Sequence, residues 1–139
     1  PKPSSAASDV YKRQQQEGAT LDEVATAAYA HLFQAFAEPT RLAIVQHLAS
    51  GEHRVRDLVE HMGLAQSTVS KHVGFLVECG LATMRPEGRS TWYSLTQPEL
   101  LRTLVAAAEC LLDATGTQAL LCTHLRLPHT HHATDTEKK

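Results

Sequence analysis

This sequence is short of cysteine, has no long apolar run and carries no surplus of positive charge. Three cysteines at irregular distances in a Leu- and Ala-rich chain do not make a disulfide framework, which leaves free thiols or metal ligands. Nothing resembles a transmembrane segment or a signal peptide, so a cytoplasmic protein with no membrane partner is expected. The formal net charge is -2 with nine neutral histidines, and such a balance gives no overall basic signature for nucleic acid. Any contact with DNA must therefore come from local geometry. No Ser/His/Asp arrangement, carboxylate pair or Gly-rich phosphate loop stands in a recognisable context, so no enzyme is expected. The 139 residues do suffice for one domain with a real core.

What is present centres on residues 54–81, RVRDLVEHMGLAQSTVSKHVGFLVECGL, which reads as two helices joined by a tight turn. Val55, Leu58, Val59 and Met62 have helical spacing, and Gly63 follows where a chain leaving a helix often needs positive φ. The second helix opens near Gln66 and keeps Val69, Val73, Leu76 and Val77 on one stripe. Ser67, Ser70, Lys71 and Gly74 fall on the other face, and Gly80 closes the helix. Ser and Thr are mediocre helix formers, so stability explains the face QSTxSK poorly. Insertion into a DNA major groove explains it better, because short hydroxyls, an amide and a Lys can meet base edges and phosphates there. Gln66, Ser67, Thr68, Ser70, Lys71 and His72 are the candidate contacts. An ordinary helical hairpin with a polar face is the alternative, and for His72 a hydrogen bond at the edge of the core competes with a DNA contact.

Residues 1–18 have no apolar period, and DVYKRQ (residues 9–14) matches what a sequencing-library transposase adapter encodes in one frame. This stretch is expected to be disordered, non-native read-through, with a native disordered arm as the alternative. Thr20 and Glu23 have capping-box spacing ahead of a first amphipathic helix. Pro39 opens a second helix carrying Leu42, Ile44, Val45 and Leu48, which Gly51 ends. After Gly80 the period becomes strand-like: residues 81–85 and 90–95 are two strands separated by Pro86, Glu87, Gly88 and Arg89. A helix-turn-helix followed by a hairpin is a winged helix, and Arg85 and Arg89 at its tip are placed to meet phosphate or a minor groove. Thr96 and Glu99 again have capping-box spacing, with Pro98 in the first turn of a helix running to about Thr115. Its leucines exceed what a peripheral helix needs, which implies a homodimer through the terminal helices. The fold expected is mainly α with a small β-hairpin: a winged-helix domain over residues 19–116 and a flexible Cys/His-containing tail over 117–139, expected to fray.

The motifs AEPTRLAIVQHL (37–48), GLAQSTVSKHV (63–73), ECGL (78–81) and EGRSTWYSL (87–95) together resemble the ArsR/SmtB family of bacterial metal-sensing repressors, over roughly residues 21–123. The resemblance implies a dimeric winged helix that blocks transcription when metal-free and leaves an inverted-repeat, double-stranded DNA operator when a metal ion binds. It also names candidate metal sites. Where one branch has a Cys-Val-Cys-Asp-Leu box, this chain reads Arg54, Val55, Arg56, Asp57, Leu58, so that site is absent. A second branch uses carboxylates and histidines of the last long helix, here matched weakly by Gln97, Glu99, Cys110 and Asp113. The CmtR-like, cadmium- and lead-sensing branch is the nearest match. There two cysteines one turn apart on the recognition helix join a third from the partner's tail. Cys79 and Cys122 match two of them, Phe75 stands where the other would be, and His124 could complete a site for Cd, Pb or Zn.

The remaining histidines carry no expected role. His129, His131 and His132 form a tract of the kind that binds ions adventitiously, and His31, His47, His53 and His61, scattered over different elements, are expected to be structural or solvated. Two other functions stay open: the same fold responding to thiol oxidation through Cys79 and Cys122, or a winged helix serving only as a protein-interaction or metal-buffering module.

Overall fold

The computed structural model describes residues 21–127. In chain order the elements are α1 (Glu23–Ala37), α2 (Pro39–Ala49), β1 (His53–Arg54), α3 (Val55–Met62), α4 (Gln66–Glu78), β2 (Ala82–Glu87), β3 (Ser90–Leu95), α5 (Pro98–Ala114) and a 3-10 turn, Thr123–Leu125. They fall into two compact units that divide between Gln34 and Ala35. In the first, Asp22 caps α1 by accepting the backbone N–H groups of Val24 (3.0 Å) and Ala25 (3.1 Å). The Thr20 expected in that role lies outside the described residues. Val24, Tyr29 and Phe33 of α1 are exposed.

The second unit holds the core. Ile44, Val45 and Leu48 of α2 meet Leu58 of α3, Val69, Val73 and Leu76 of α4, Ala82 and Leu95 of the sheet, and Leu101 of α5. Each fully buried Val or Leu contributes roughly 1.5–3 kcal/mol relative to an exposed one, so this cluster fixes how the helices meet. The stripe read on α4 is the buried one, with Val77 only half-buried. Glu38 caps α2, accepting the N–H of Arg41 at 2.9 Å with Pro39 in the first turn. Gly63 ends α3 at φ 68°, a left-handed value that turns the chain into α4.

The structure corrects four expectations. The sheet has three strands, in the order β1-β3-β2, because His53 and Arg54 pair with Tyr93 and Trp92 of β3. A strand of two residues has no period to detect. The hairpin is also longer than its punctuation suggests: β2 runs to Glu87, paired with Ser90, so only Gly88 and Arg89 turn. Pro86 sits within β2, which is an edge strand, where a missing N–H costs nothing in pairing. At the start of α5 the expected capping box is not formed. Gln97 is the N-cap without a side-chain hydrogen bond, and Glu99 instead takes the Arg102 guanidinium at 2.6 Å, the stronger charge-assisted partner.

The segment beyond Gly116 is the fourth. Fraying is expected of it, yet Leu125 is 1% exposed and belongs to the core cluster. Polar contacts hold the approach to it. The N–H of Cys122 donates to Oε1 of Gln46 at 3.0 Å, Arg102 Nε donates to the carbonyl of His124 at 2.8 Å, and Arg126 pairs with Glu109 at 3.1 Å. The His129, His131 and His132 tract and residues 1–18 lie outside the described residues.

Candidate nucleic-acid interface and effector residues

α4 is positioned by its buried stripe, and the positions between those residues face outward. Gln66, Ser67, Ser70 and Lys71 are exposed and Thr68 is half-buried. Ala65 precedes the helix in an extended conformation and provides no side-chain cap, so the first N–H groups of α4 are left for an outside acceptor. Next to this helix start lies an open groove lined by Arg54, Arg56, Gln66, Arg89, Ser90 and Thr91. Arginines brought to a helix N-terminus suit a phosphate backbone. Arg56 is the member of this groove that sequence reading misses, because in the sequence it stands only as the replacement of a cysteine. Its place off the Val55, Leu58, Val59 and Met62 stripe of α3 is the available signal.

His72 is drawn inward. Its side chain is 12% exposed, with Nδ1 3.3 Å from Arg41 Nη1 and Nε2 3.7 Å from a Glu38 carboxylate oxygen. The same Arg41 lies 4.2 Å from the Phe75 ring centroid and donates to the Ala35 carbonyl at 3.1 Å. Of the six α4 candidates, His72 is thus the one that the fold already engages.

The wing arginines differ. Arg85 lies within β2 and ends in two carboxylates, Glu52 at 2.7 Å and Glu87 at 2.8 Å. These partners raise its pKa further, and its guanidinium holds the Glu52 carboxyl below the usual range. Arg89 is exposed in the turn and makes no ion pair among the described residues. Behind the wing, Asp57 Oδ2 accepts both the backbone N–H (2.8 Å) and Nε (3.0 Å) of Arg54, while Oδ1 takes Nη2 at 2.9 Å. Those bonds depress the Asp57 pKa to about 2. The Arg54 guanidinium also stacks 4.7 Å from the Trp92 ring centroid, tying α3 to β3. The place of the missing thiol box is therefore a clamp.

The thiols do not assemble within one chain. Among the described residues, no three His, Cys, Asp or Glu side chains present donors suited to one metal ion. Cys79 caps the end of α4 and is half-buried; burial pushes its thiol pKa up, and the charge of Arg41 draws it partly back. One turn earlier, Phe75 and the guanidinium over it occupy the place of a further thiol. Cys122 is half-buried beside Gln46 and His124 is exposed. Within one chain, Cys79, Cys122 and His124 do not form a three-donor group. Cys110 and Gln97 are exposed, and Glu99 is held by Arg102, so the last-helix alternative is not built either.

Three other imidazoles do come together. His47, His53 and His61, scattered in the sequence, have ring centroids 5.3–6.2 Å apart. They lie on α2, β1 and α3, and only the packing of those elements makes them neighbours.

Residues 38–83 match the family described as bacterial regulatory protein, arsR family. A probable mercury resistance operon repressor of Streptomyces lividans is 36% identical over 96 residues, covering 69% of this chain and 76% of that protein. The transcriptional regulator CmtR of Mycobacterium bovis is 37% identical over 90 residues, 65% of this chain and 76% of that one. Among solved structures, HlyU of Vibrio cholerae superposes with a TM-score of 0.55 at 29% identity, over 65% of this chain and 97% of its own. The first two are described as a repressor and a transcriptional regulator. No helix among the described residues is long and apolar enough to cross a membrane. The chain belongs to the ArsR family of bacterial regulatory proteins, DNA-binding transcriptional repressors built on a winged helix-turn-helix.

Proposed function

We propose that α4 reads a major groove of an inverted-repeat operator as one half of a homodimer, and that a soft divalent ion of the Cd, Pb or Zn type relieves repression through Cys79, Cys122 and His124. The observation that carries the DNA half is the exposed face of Gln66, Ser67, Ser70 and Lys71 beside the arginine groove. Arg89 adds a phosphate contact from the wing. Exposed leucines on α5, Leu100, Leu111 and Leu112, supply the apolar surface for a second copy. Two-fold symmetry then sets the two recognition helices about one DNA turn apart.

The mercury-operon relative supports a thiophilic effector, and Cys79 is the thiol on the recognition helix. A bound ion would supply bonds between that helix and the partner's Cys122 segment. A few kcal/mol of coupling suffices, since about 1.4 kcal/mol is tenfold in affinity. Burial raises the Cys79 thiol pKa, so an ion has to displace a proton there and release should weaken as pH falls. DNA-binding anisotropy on an inverted repeat from the protein's own upstream region, titrated with Cd, Pb and Zn under reducing conditions, tests this. Cys79→Ser and Cys122→Ser should each keep operator binding and lose release. Release that survives in both variants removes the thiols from the mechanism.

A further inference from the structure

We propose that Arg41 is a positioning residue for operator recognition, fixing the rotation of α4 on α2 by gripping the recognition helix at two points one turn apart. The inference rests on the reading of α4 as the helix that meets DNA. Arg41 belongs to α2, and its guanidinium reaches both His72 and Phe75 of α4: Nη1 lies 3.3 Å from His72 Nδ1, and Cζ lies 4.2 Å from the Phe75 ring centroid. Positions 72 and 75 share one face of the helix. A third contact steadies the arginine itself, since Nε donates to the Ala35 carbonyl at 3.1 Å.

Around His72 the polar contacts close into a ring. Glu38 accepts the backbone N–H of Arg41 at 2.9 Å, and the same carboxylate oxygen lies 3.7 Å from His72 Nε2. A guanidinium has only donors, so Nδ1 of His72 accepts and, in the neutral ring, Nε2 carries the proton toward Glu38. One side chain of α4 is thereby held between Arg41 and the N-cap of α2.

Apolar burial is a blunter constraint on the same rotation. Val69, Val73 and Leu76 press α4 onto the core, but burial is non-directional and does not by itself define an angle about the helix axis. A rotation of ~15° moves a side-chain tip ~6 Å from the axis by ~1.5 Å, more than the whole spread of hydrogen-bond lengths. The exposed Ser70 and Lys71 immediately precede His72, so they move with it. A planar guanidinium with fixed donor directions resists such a rotation, and a flexible ammonium does not replace it.

The test compares affinity for an inverted repeat from the protein's own upstream region with affinity for a shuffled duplex of equal length, each over a range of salt. Arg41→Lys, its fold verified by circular dichroism, should lower the ratio of the two affinities about tenfold, the loss of one base-edge contact, and leave the shuffled duplex bound as before. The slope of log affinity against log salt should stay the same, because a positioning residue neutralises no phosphate. A purely structural arginine lowers both affinities in proportion, and a phosphate-binding one flattens the slope by about 0.9. Either result overturns the proposal, as does an unchanged ratio. Ser70→Ala with Lys71→Ala in the otherwise wild-type chain separates the two readings. If that variant loses the operator while Arg41→Lys keeps its ratio, the positioning role fails alone; if it keeps the operator, both readings fall. Should Arg41→Lys not fold, Phe75→Leu decides, since it keeps an apolar side chain and removes the ring face under the guanidinium. Its ratio must fall at least ~threefold, and an unchanged ratio overturns the proposal.

Discussion

The outer face of α4 and the wing both carry cations, yet the two regions leave them in different states. On α4, Lys71 stands among exposed Gln and Ser side chains and makes no ion pair among the described residues. On the wing, Arg85 is half-exposed but paired with Glu52 and Glu87, whereas Arg89 at the turn makes no ion pair among the described residues. A count of basic residues would weigh all three alike. For the proposed interface the difference matters, because two neighbouring carboxylates offset the charge that Arg85 could offer to phosphate.

The largest effect should come from removing the α4 face. Ser70→Ala with Lys71→Ala should abolish specific operator binding in footprinting, at about 1–3 kcal/mol for each base-edge hydrogen-bonded pair removed, while the fold persists. Unchanged footprints would take α4 out of the interface. A smaller effect separates the two wing arginines. Arg89→Ala should flatten the dependence of log affinity on log salt by about 0.9 per phosphate neutralised, whereas Arg85→Ala should leave the slope nearly unchanged. Equal changes from both would show that DNA displaces the carboxylates from Arg85. The smallest effect concerns the clamp behind both regions. The Asp57 pKa is lowered from 3.8 to about 2 on folding, so its contribution to stability is complete above the ordinary value and disappears as pH falls toward 2. Asp57→Ala should cost about 1 kcal/mol at neutral pH and give a shallower acid limb in thermal melts.

Periodicity makes much of this legible. Val69, Val73 and Leu76 recur every three or four residues, so the buried side of α4, and with it the exposed side, follows from spacing alone. The wing follows from turn residues between two β-rich runs. What stays hidden depends on contacts between segments distant in sequence. His47 and His61 are fourteen positions apart, and nothing local says that α2 and α3 end side by side. Leu125 sits in a stretch with no period of its own and is buried by elements that precede it by tens of residues. The pairing of Arg85 with Glu52 crosses from the wing to the loop before β1, so motif and composition can mark Arg85 as exposed but not as engaged. Phe75 is legible as a missing thiol. That its ring holds Arg41 is not, because Arg41 belongs to a different helix.

The outer strand of the wing bears on behaviour at high concentration. β2 has β3 on one side only, and a strand with an unpaired side is a template on which another chain can extend the sheet. Pro86 interrupts that row of donors, and the charged Arg85 and Glu87 flank it. Replacing Pro86 with Val would restore a donor and raise β-propensity together, converting the lip of the wing into a seed for strand-by-strand aggregation. A proline on the outward edge of the wing thus discourages strand-by-strand association without costing the hairpin a hydrogen bond.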